Sequence, residues 1–136
     1  MNATQALVAD FMTIDPIVVA EDAPLEEAAR LLRANVVSGL PVVDLNGALV
    51  GVISQTDFIA VLESPIGRLI RTEASGLRTG ELMSSPAITI PMASPMIEAA
   101  RLMRDRHVHR LVAVDDAGRA VGVVAAWDFV TLYADA

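Results

Sequence analysis

The stretch Gly51-Val52-Ile53-Ser54-Gln55-Thr56-Asp57-Phe58 returns as Gly122-Val123-Val124-Ala125-Ala126-Trp127-Asp128-Phe129, 71 positions on. The offset holds without drift. Met12 falls on Met83, Ile17 on Ile88, Pro24 on Pro95, and Glu27-Ala28-Ala29-Arg30-Leu31 on Glu98-Ala99-Ala100-Arg101-Leu102. Asp44 meets Asp115, and Gly47 meets Gly118. This many ungapped coincidences mark two copies of one structural unit. The function must be one that two copies can serve.

Within copy one, Leu25, Ala28, Ala29 and Leu32 recur at i, i+3, i+4 and i+7, which predicts a helix over 24–35 with one apolar stripe. Pro24 stands early, where its missing N–H costs nothing. Leu40-Pro41-Val42-Val43-Asp44 reads as a buried strand, Leu45-Asn46-Gly47 as a turn, and Leu49-Val50-Gly51-Val52-Ile53 as the returning partner. A second helix follows over 56–63. Ile17-Val18-Val19 is short and extended, because the residue before Pro16 avoids the helical region. Residues 1–11 form a short helix or arm that packs through Leu7, Val8 and Phe11. Copy two repeats the plan, with Ser94 as N-cap, Pro95 at the first helical position and the stripe Met96, Ala99, Ala100, Met103. Its hairpin runs over 111–124 and its last helix over 127–134. The boundaries are 8–62 for copy one and 79–133 for copy two. The connector over 63–78 is punctuated by Ser64-Pro65, Gly67 and Ser75-Gly76, and Ile66, Leu69 and Ile70 can form one apolar helical turn in it. The expected fold class is α+β: tandem repeats with pseudo-twofold symmetry, short β-sheets flanked by helices. Neither copy has core enough to stand alone, so the two pack together and leave two equivalent clefts.

Composition narrows the function. Of 136 residues, 54% are hydrophobic and only 4% aromatic, so Val, Leu, Ile and Ala build the core. No apolar run approaches the roughly 18 residues that span a bilayer. The start, Met1-Asn2-Ala3-Thr4-Gln5, lacks a basic region followed by an apolar one, so no signal peptide is expected and the location expected is cytoplasmic. There is no Cys, hence no disulfide framework and no thiolate metal site. A net charge of −7 argues against nucleic-acid binding. All 10 cations are Arg, which removes Schiff-base lysines and the P-loop lysine. With no Gly-x-Ser-x-Gly, no Cys nucleophile and only two His, no catalytic residue and no enzyme are expected.

The Met-Thr/Ser starts (Met12-Thr13, Met83-Ser84), the Glu-Ala-Ala-Arg helix and the paired Gly-apolar-apolar-x-x-x-Asp elements together resemble a CBS-domain pair, or Bateman module. The segment Val108-His109-Arg110-Leu111-Val112-Ala113-Val114-Asp115 is similar to the nucleotide-sensing gamma subunit of AMP-activated protein kinase. The resemblance implies a stand-alone regulatory sensor. In such a sensor the cleft between the repeats holds an adenine nucleotide (AMP, ADP or ATP) or S-adenosylmethionine, and no catalytic cofactor is needed.

On that resemblance, Asp57 accepts both ribose hydroxyls, and Ser54 donates its hydroxyl to a phosphate. Ser-x-x-Asp is equally a helix-capping arrangement. Copy two keeps Asp128 but has Ala125 in place of Ser54, which favours a ribose acceptor over a capping box. The resemblance also implies that His109 and Arg110 reach phosphate, in the cleft headed by the other copy. Copy one has Ser38-Gly39 there, so one competent site of Asp57, Ser54, His109 and Arg110 is expected beside a weaker one at Asp128. Adenine would lie in a slot of Thr13, Ile14 and Ile17, with backbone near Leu40-Pro41 reading the ring edge. For Ile17 and Ile88 an ordinary core role stands beside this one. Trp127 can stack on a base or pack at a surface contact. His107 and His109 lack further ligands nearby, so no metal is expected. Asp44 and Asp115 read as turn residues. The apolar residues of the terminal helices (Phe58, Ile59, Leu62; Phe129, Leu132, Tyr133) suit a homodimer. The alternative function is a ligand-free scaffold that docks on a partner enzyme or transporter.

Overall fold

The computed structural model describes residues 5–63 and 76–135. Most of the connector, with the apolar turn expected around Ile66, Leu69 and Ile70, lies outside the described residues. In chain order the elements are α1 (Val8–Phe11), β1 (Thr13–Ile14), β2 (Val19–Ala20), α2 (Leu25–Asn35), β3 (Gly39–Val43), β4 (Leu49–Ser54) and α3 (Gln55–Glu63). Then follow α4 (Thr79–Leu82), β5 (Thr89–Pro91), α5 (Met96–Arg106), β6 (Arg110–Val114), β7 (Ala120–Ala125) and α6 (Ala126–Ala134). The class is α+β, with short sheets flanked by helices.

The chain divides into two units, and the division does not follow the two copies. One unit joins residues 1–16 to 88–136; the other is residues 17–87. Copy one's leading arm therefore belongs with copy two's hairpin, and copy two's with copy one's. In the first unit the sheet runs β1-β7-β6-β5, with Thr13 opposite Val123 and Ile14 opposite Gly122. In the second it runs β2-β3-β4, and a single antiparallel bridge between Val52 and Ser84 takes the place of β1.

Close approach of backbone explains why glycine begins the repeated stretch. A β-carbon on Gly51 would lie 2.7 Å from the Met83 sulfur and 2.7 Å from the Ser84 carbonyl oxygen. One on Gly122 would lie 2.7 Å from Met12 Cγ and 2.9 Å from the Thr13 carbonyl oxygen. Each methionine of the Met-Thr/Ser start thus rests on the other copy's glycine.

The arms also supply what the helix starts lack. Ser94 was expected to cap α5, but the helix begins one residue later, with Pro95 at the cap and no side-chain cap bond. The first helical N–H, that of Met96, instead donates to the Ala6 carbonyl at 2.7 Å. In the second unit the Leu25 N–H donates to the Leu77 carbonyl at 2.9 Å. An orphan N–H needs an acceptor, and here a neighbouring backbone provides it.

Each unit has its own core. Ala6, Val8, Ile90, Met96, Ala99, Met103, Leu111, Ala113, Val124 and Leu132 build the first. Val19, Ala23, Leu25, Ala28, Leu32, Leu40, Val42 and Ile53 build the second. Leu7, expected to pack, is 38% exposed, while Ala6 beside it is buried. Asp44 and Asp115 are turn residues: Asp44 Oδ1 accepts the N–H groups of Asn46 and Ala48, and Asp115 Oδ1 those of Ala117 and Arg119.

Candidate functional site

Both hairpins run straight into a helix, and the repeated acid stands at the third position of that helix. Asp57 Oδ2 accepts the Ser54 backbone N–H at 2.7 Å, and Asp128 Oδ2 accepts the Ala125 backbone N–H at 2.7 Å. This is the carboxylate half of a capping box. It needs no hydroxyl at the cap, so Ala125 serves as well as Ser54. The loss of that hydroxyl therefore does not separate capping from ligand binding: both acids cap.

Capping occupies one oxygen of each carboxylate. Asp57 Oδ1 accepts the Ser84 hydroxyl at 3.3 Å. Asp128 Oδ1 accepts no hydrogen bond among the described residues. Both acids are half-buried. Burial pushes the Asp128 carboxyl above the ordinary aspartate value of 3.8, and the Ala125 N–H pulls it partly back. A carboxylate offers about four lone-pair sites, so each acid keeps capacity for further donors.

Ser54 is 6% exposed, and its hydroxyl is already engaged, 2.8 Å from Thr56 Oγ1 and 3.2 Å from Asp57 Oδ2. The exposed hydroxyls around Asp57 are those of Thr56 and Ser84. Thr56 stood in plain view inside the repeated stretch. Ser84, the counterpart of Thr13 in the repeated Met-Thr/Ser start, is brought to Asp57 by the exchange of arms, across 27 positions of sequence.

The expected site residues fall in both units. Ile17, Pro41, Ser54 and Asp57 belong to the second; Thr13, Ile14, His109, Arg110 and Asp128 belong to the first. Thr13 and Ile14 are exposed on β1, Ile14 by 65%. Ile17 is 41% exposed, whereas Ile88, its counterpart, packs against a core. Pro41 is fully buried in β3, opposite Val52. Arg110 opens β6 opposite Ala125, half-buried, and His109 precedes it, exposed. The His109 carbonyl accepts the first N–H of α6, from Ala126, at 3.0 Å.

Each unit also carries an open groove, lined by residues related through the offset of 71. In the second unit Ala29, Leu32, Arg33, Val36, Ser38 and Phe58 line about 560 Å³. In the first, Ala100, Met103, Arg104, His107, His109 and Phe129 line about 680 Å³. Asp57 and Asp128 line neither. Among the described residues no group of three or more His, Cys, Asp or Glu is placed to hold a metal ion. None of the helices described is long and apolar enough to cross a membrane.

Comparison with known proteins converges on one family. The CBS domain model matches the chain twice, over residues 8–64 and 80–135. The chain is similar to the CBS-pair protein CBSX2 from Arabidopsis thaliana, solved in complex with AMP. The identity is 30% over 96% of this chain and 97% of that one, with a TM-score of 0.80. It is similar to the CBS domain pair of MJ0100, solved with 5′-methylthioadenosine and S-adenosyl-L-methionine. There the identity is 28% over 96% of this chain and 97% of that one, with a TM-score of 0.82. It is similar to MJ1225 from Methanocaldococcus jannaschii, proposed as an archaeal homologue of γ-AMPK. That likeness has 28% identity and a TM-score of 0.84, covering 97% of this chain and 49% of that one.

Proposed function

We infer the function from kinship: this chain belongs to the CBS domain family, and it acts as a regulatory sensor of an adenosyl small molecule rather than as a catalyst. The observation that carries the reading is the acid at the start of α3 and of α6. Each uses one oxygen for its helix cap and retains acceptor capacity, which is what a ribose diol requires. The adenosyl ligands of CBSX2 and MJ0100 support it. The ligand class is AMP, ADP or ATP, or S-adenosylmethionine. Asp57, with the Thr56 and Ser84 hydroxyls beside it, heads the stronger site, and Asp128 the weaker. Thr13, Ile14, Ile17, Pro41, His109 and Arg110 are the further residues we propose as ligand contacts, and Ser54 orients Asp57. Isothermal titration with AMP and ATP should give one dominant site that Asp57→Ala abolishes. Equal losses from Asp57→Ala and Asp128→Ala would contradict the inequality. Failure of AMP, ATP, NAD and S-adenosylmethionine alike to bind would overturn the sensor.

A second reading rests on the helix faces. Ile59 is 57% exposed on α3, and Trp127, Val130 and Tyr133 are 73%, 50% and 70% exposed on α6. Apolar side chains so placed suit a homodimer or a docked partner protein. Leu132, expected on that face, is 5% exposed and belongs to the core, because it falls on the inward side of α6. Phe58 and Phe129 are half-buried, and the Leu62 side chain lies outside the described part. Sedimentation equilibrium should show a dimer that Tyr133→Asp weakens; a monomer at high concentration would sink this reading.

A further inference from the structure

Residues 5–16 form an arm that belongs to copy one by sequence and to the first unit by contact. Backbone bonds hold it there. The Ala6 carbonyl accepts the Met96 N–H at 2.7 Å, and the Val8 and Ala9 N–H groups donate to the Ser94 and Met92 carbonyls at 2.8 and 2.9 Å. β1 then pairs with β7, and the Asp15 N–H donates to the Val121 carbonyl at 3.2 Å. From there the chain passes to the second unit through Pro16, Ile17 and Val18. Among the described residues none of these three lies in a strand or gives or accepts a backbone hydrogen bond, and Ile17 and Val18 are 41% and 40% exposed. The matching crossing of copy two is tied: the Val112 N–H donates to the Ile88 carbonyl at 3.1 Å, whereas Pro41, the counterpart of Val112, has no N–H to give. The untied crossing is also strained. Asp15 holds φ 52°, in the left-handed region, although the residue before a proline is pushed towards extended backbone.

An arm held firmly at its contacts and strained at a short hinge is the arrangement in which identical chains trade arms. A second copy's arm offers the same bonds to the first unit, so trading keeps them and lets both hinges straighten. We propose that this chain dimerises by exchanging residues 5–15 with a second copy: each arm pairs with β7 of the other chain, and the hinge opens at Asp15 and Pro16. The contact is made by the backbone of β1 and β7, not by the exposed side chains of α3 and α6. Thr13 and Ile14, put forward above as ligand contacts, then reach the first unit from the second copy. A site built on them is complete only in the dimer, and the exchange itself stands whether or not a ligand binds.

A chain without Cys suits a cross-linking test. Thr13 and Val123 face one another across β1 and β7. Directly opposed residues of antiparallel strands lie about 4.5–5.5 Å apart, within disulfide reach. Thr13→Cys is made in one copy of the full chain and Val123→Cys in another, and the two are unfolded, mixed, refolded and oxidised. Exchange should give a covalent hybrid dimer whose disulfide joins positions 13 and 123 in a peptide map. Leu7→Cys and Pro95→Cys, opposed across a single antiparallel bridge, serve as a second pair if the first does not fold. Without exchange, each introduced thiol faces the native residue of its own chain. Absence of the hybrid disulfide at both pairs therefore overturns the proposal, even where sedimentation shows a dimer, which then belongs to the helix faces. Asp15→Gly adopts φ 52° without strain. In a Tyr133→Asp background, which weakens the helix-face contact, it should raise the Kd of the dimer by about tenfold or more, because both closed hinges are relieved. An unchanged Kd overturns the strained hinge as the cause of exchange.

Discussion

Met83 rests where a side chain on Gly51 would have to go, and Met12 does the same at Gly122. Added atoms at such contacts force rotamers or backbone aside. Gly51→Ala should cost about 1–3 kcal/mol, read as a lower urea midpoint with unchanged slope. An unaltered midpoint would mean that the methionine moves freely. Asp128 carries a second prediction at this scale. Because burial raises the folded-state carboxyl of Asp128 above 3.8, the folded chain holds that proton more tightly than the unfolded chain does. Its contribution to stability therefore falls as pH rises from about the ordinary aspartate range through the raised value, and is level above it. Asp128→Asn should remove that slope from a stability-against-pH curve while keeping an oxygen for the Ala125 N–H. A slope that persists unchanged would assign it to another group.

Helix ends carry the next level. α2 and α5 both close on a residue in the left-handed region, Val36 at φ 53° and His107 at φ 54°. Glycine or asparagine is the usual occupant of such a position, and a β-branched residue is strained there. Val36 is also 90% exposed, so no packing recompenses it. Val36→Gly should raise stability by about 1 kcal/mol, the left-handed penalty less glycine's extra backbone entropy. Thermal unfolding would show it, and a lowered Tm would mean that Val36 makes contacts its exposure conceals. Helix starts followed a rule that local sequence does not contain. Ser94 has the right chemistry for a cap, yet the acceptor at Met96 is the Ala6 carbonyl. Local propensity lost to a backbone group brought in from far along the chain.

At the scale of the whole molecule, the exchanged arms make a sharp expectation. Removing residues 1–11, which belong to copy one by sequence, should loosen the unit built on residues 88–135. Val8 is fully buried there, and the Val8 and Ala9 N–H groups donate to the carbonyls of Ser94 and Met92 at 2.8 and 2.9 Å. Losing such a side chain costs roughly 2 kcal/mol before those bonds are counted. Hydrogen exchange should quicken in β6 and β7 before β3 and β4; the reverse order would refute the exchange. A true ligand should raise stability by about 2.7 kcal/mol at a hundredfold excess over its Kd. Scanning fluorimetry with AMP, ATP and S-adenosylmethionine reads this directly. By itself the sequence determined the duplication, the helices and hairpins of each copy, the turn roles of Asp44 and Asp115, and Asp57 and Asp128 as the acids to watch. Periodicity and an unbroken offset of 71 are local signals, and they survive without coordinates. Only the tertiary structure decided which arm serves which hairpin, that Ser84 meets Asp57, and that no backbone N–H among the described residues reaches the Ile17 carbonyl as the Val112 N–H reaches that of Ile88. Those outcomes hang on pairings between distant segments, where a missing N–H or a glycine's bare face matters only once the opposite chain is in place.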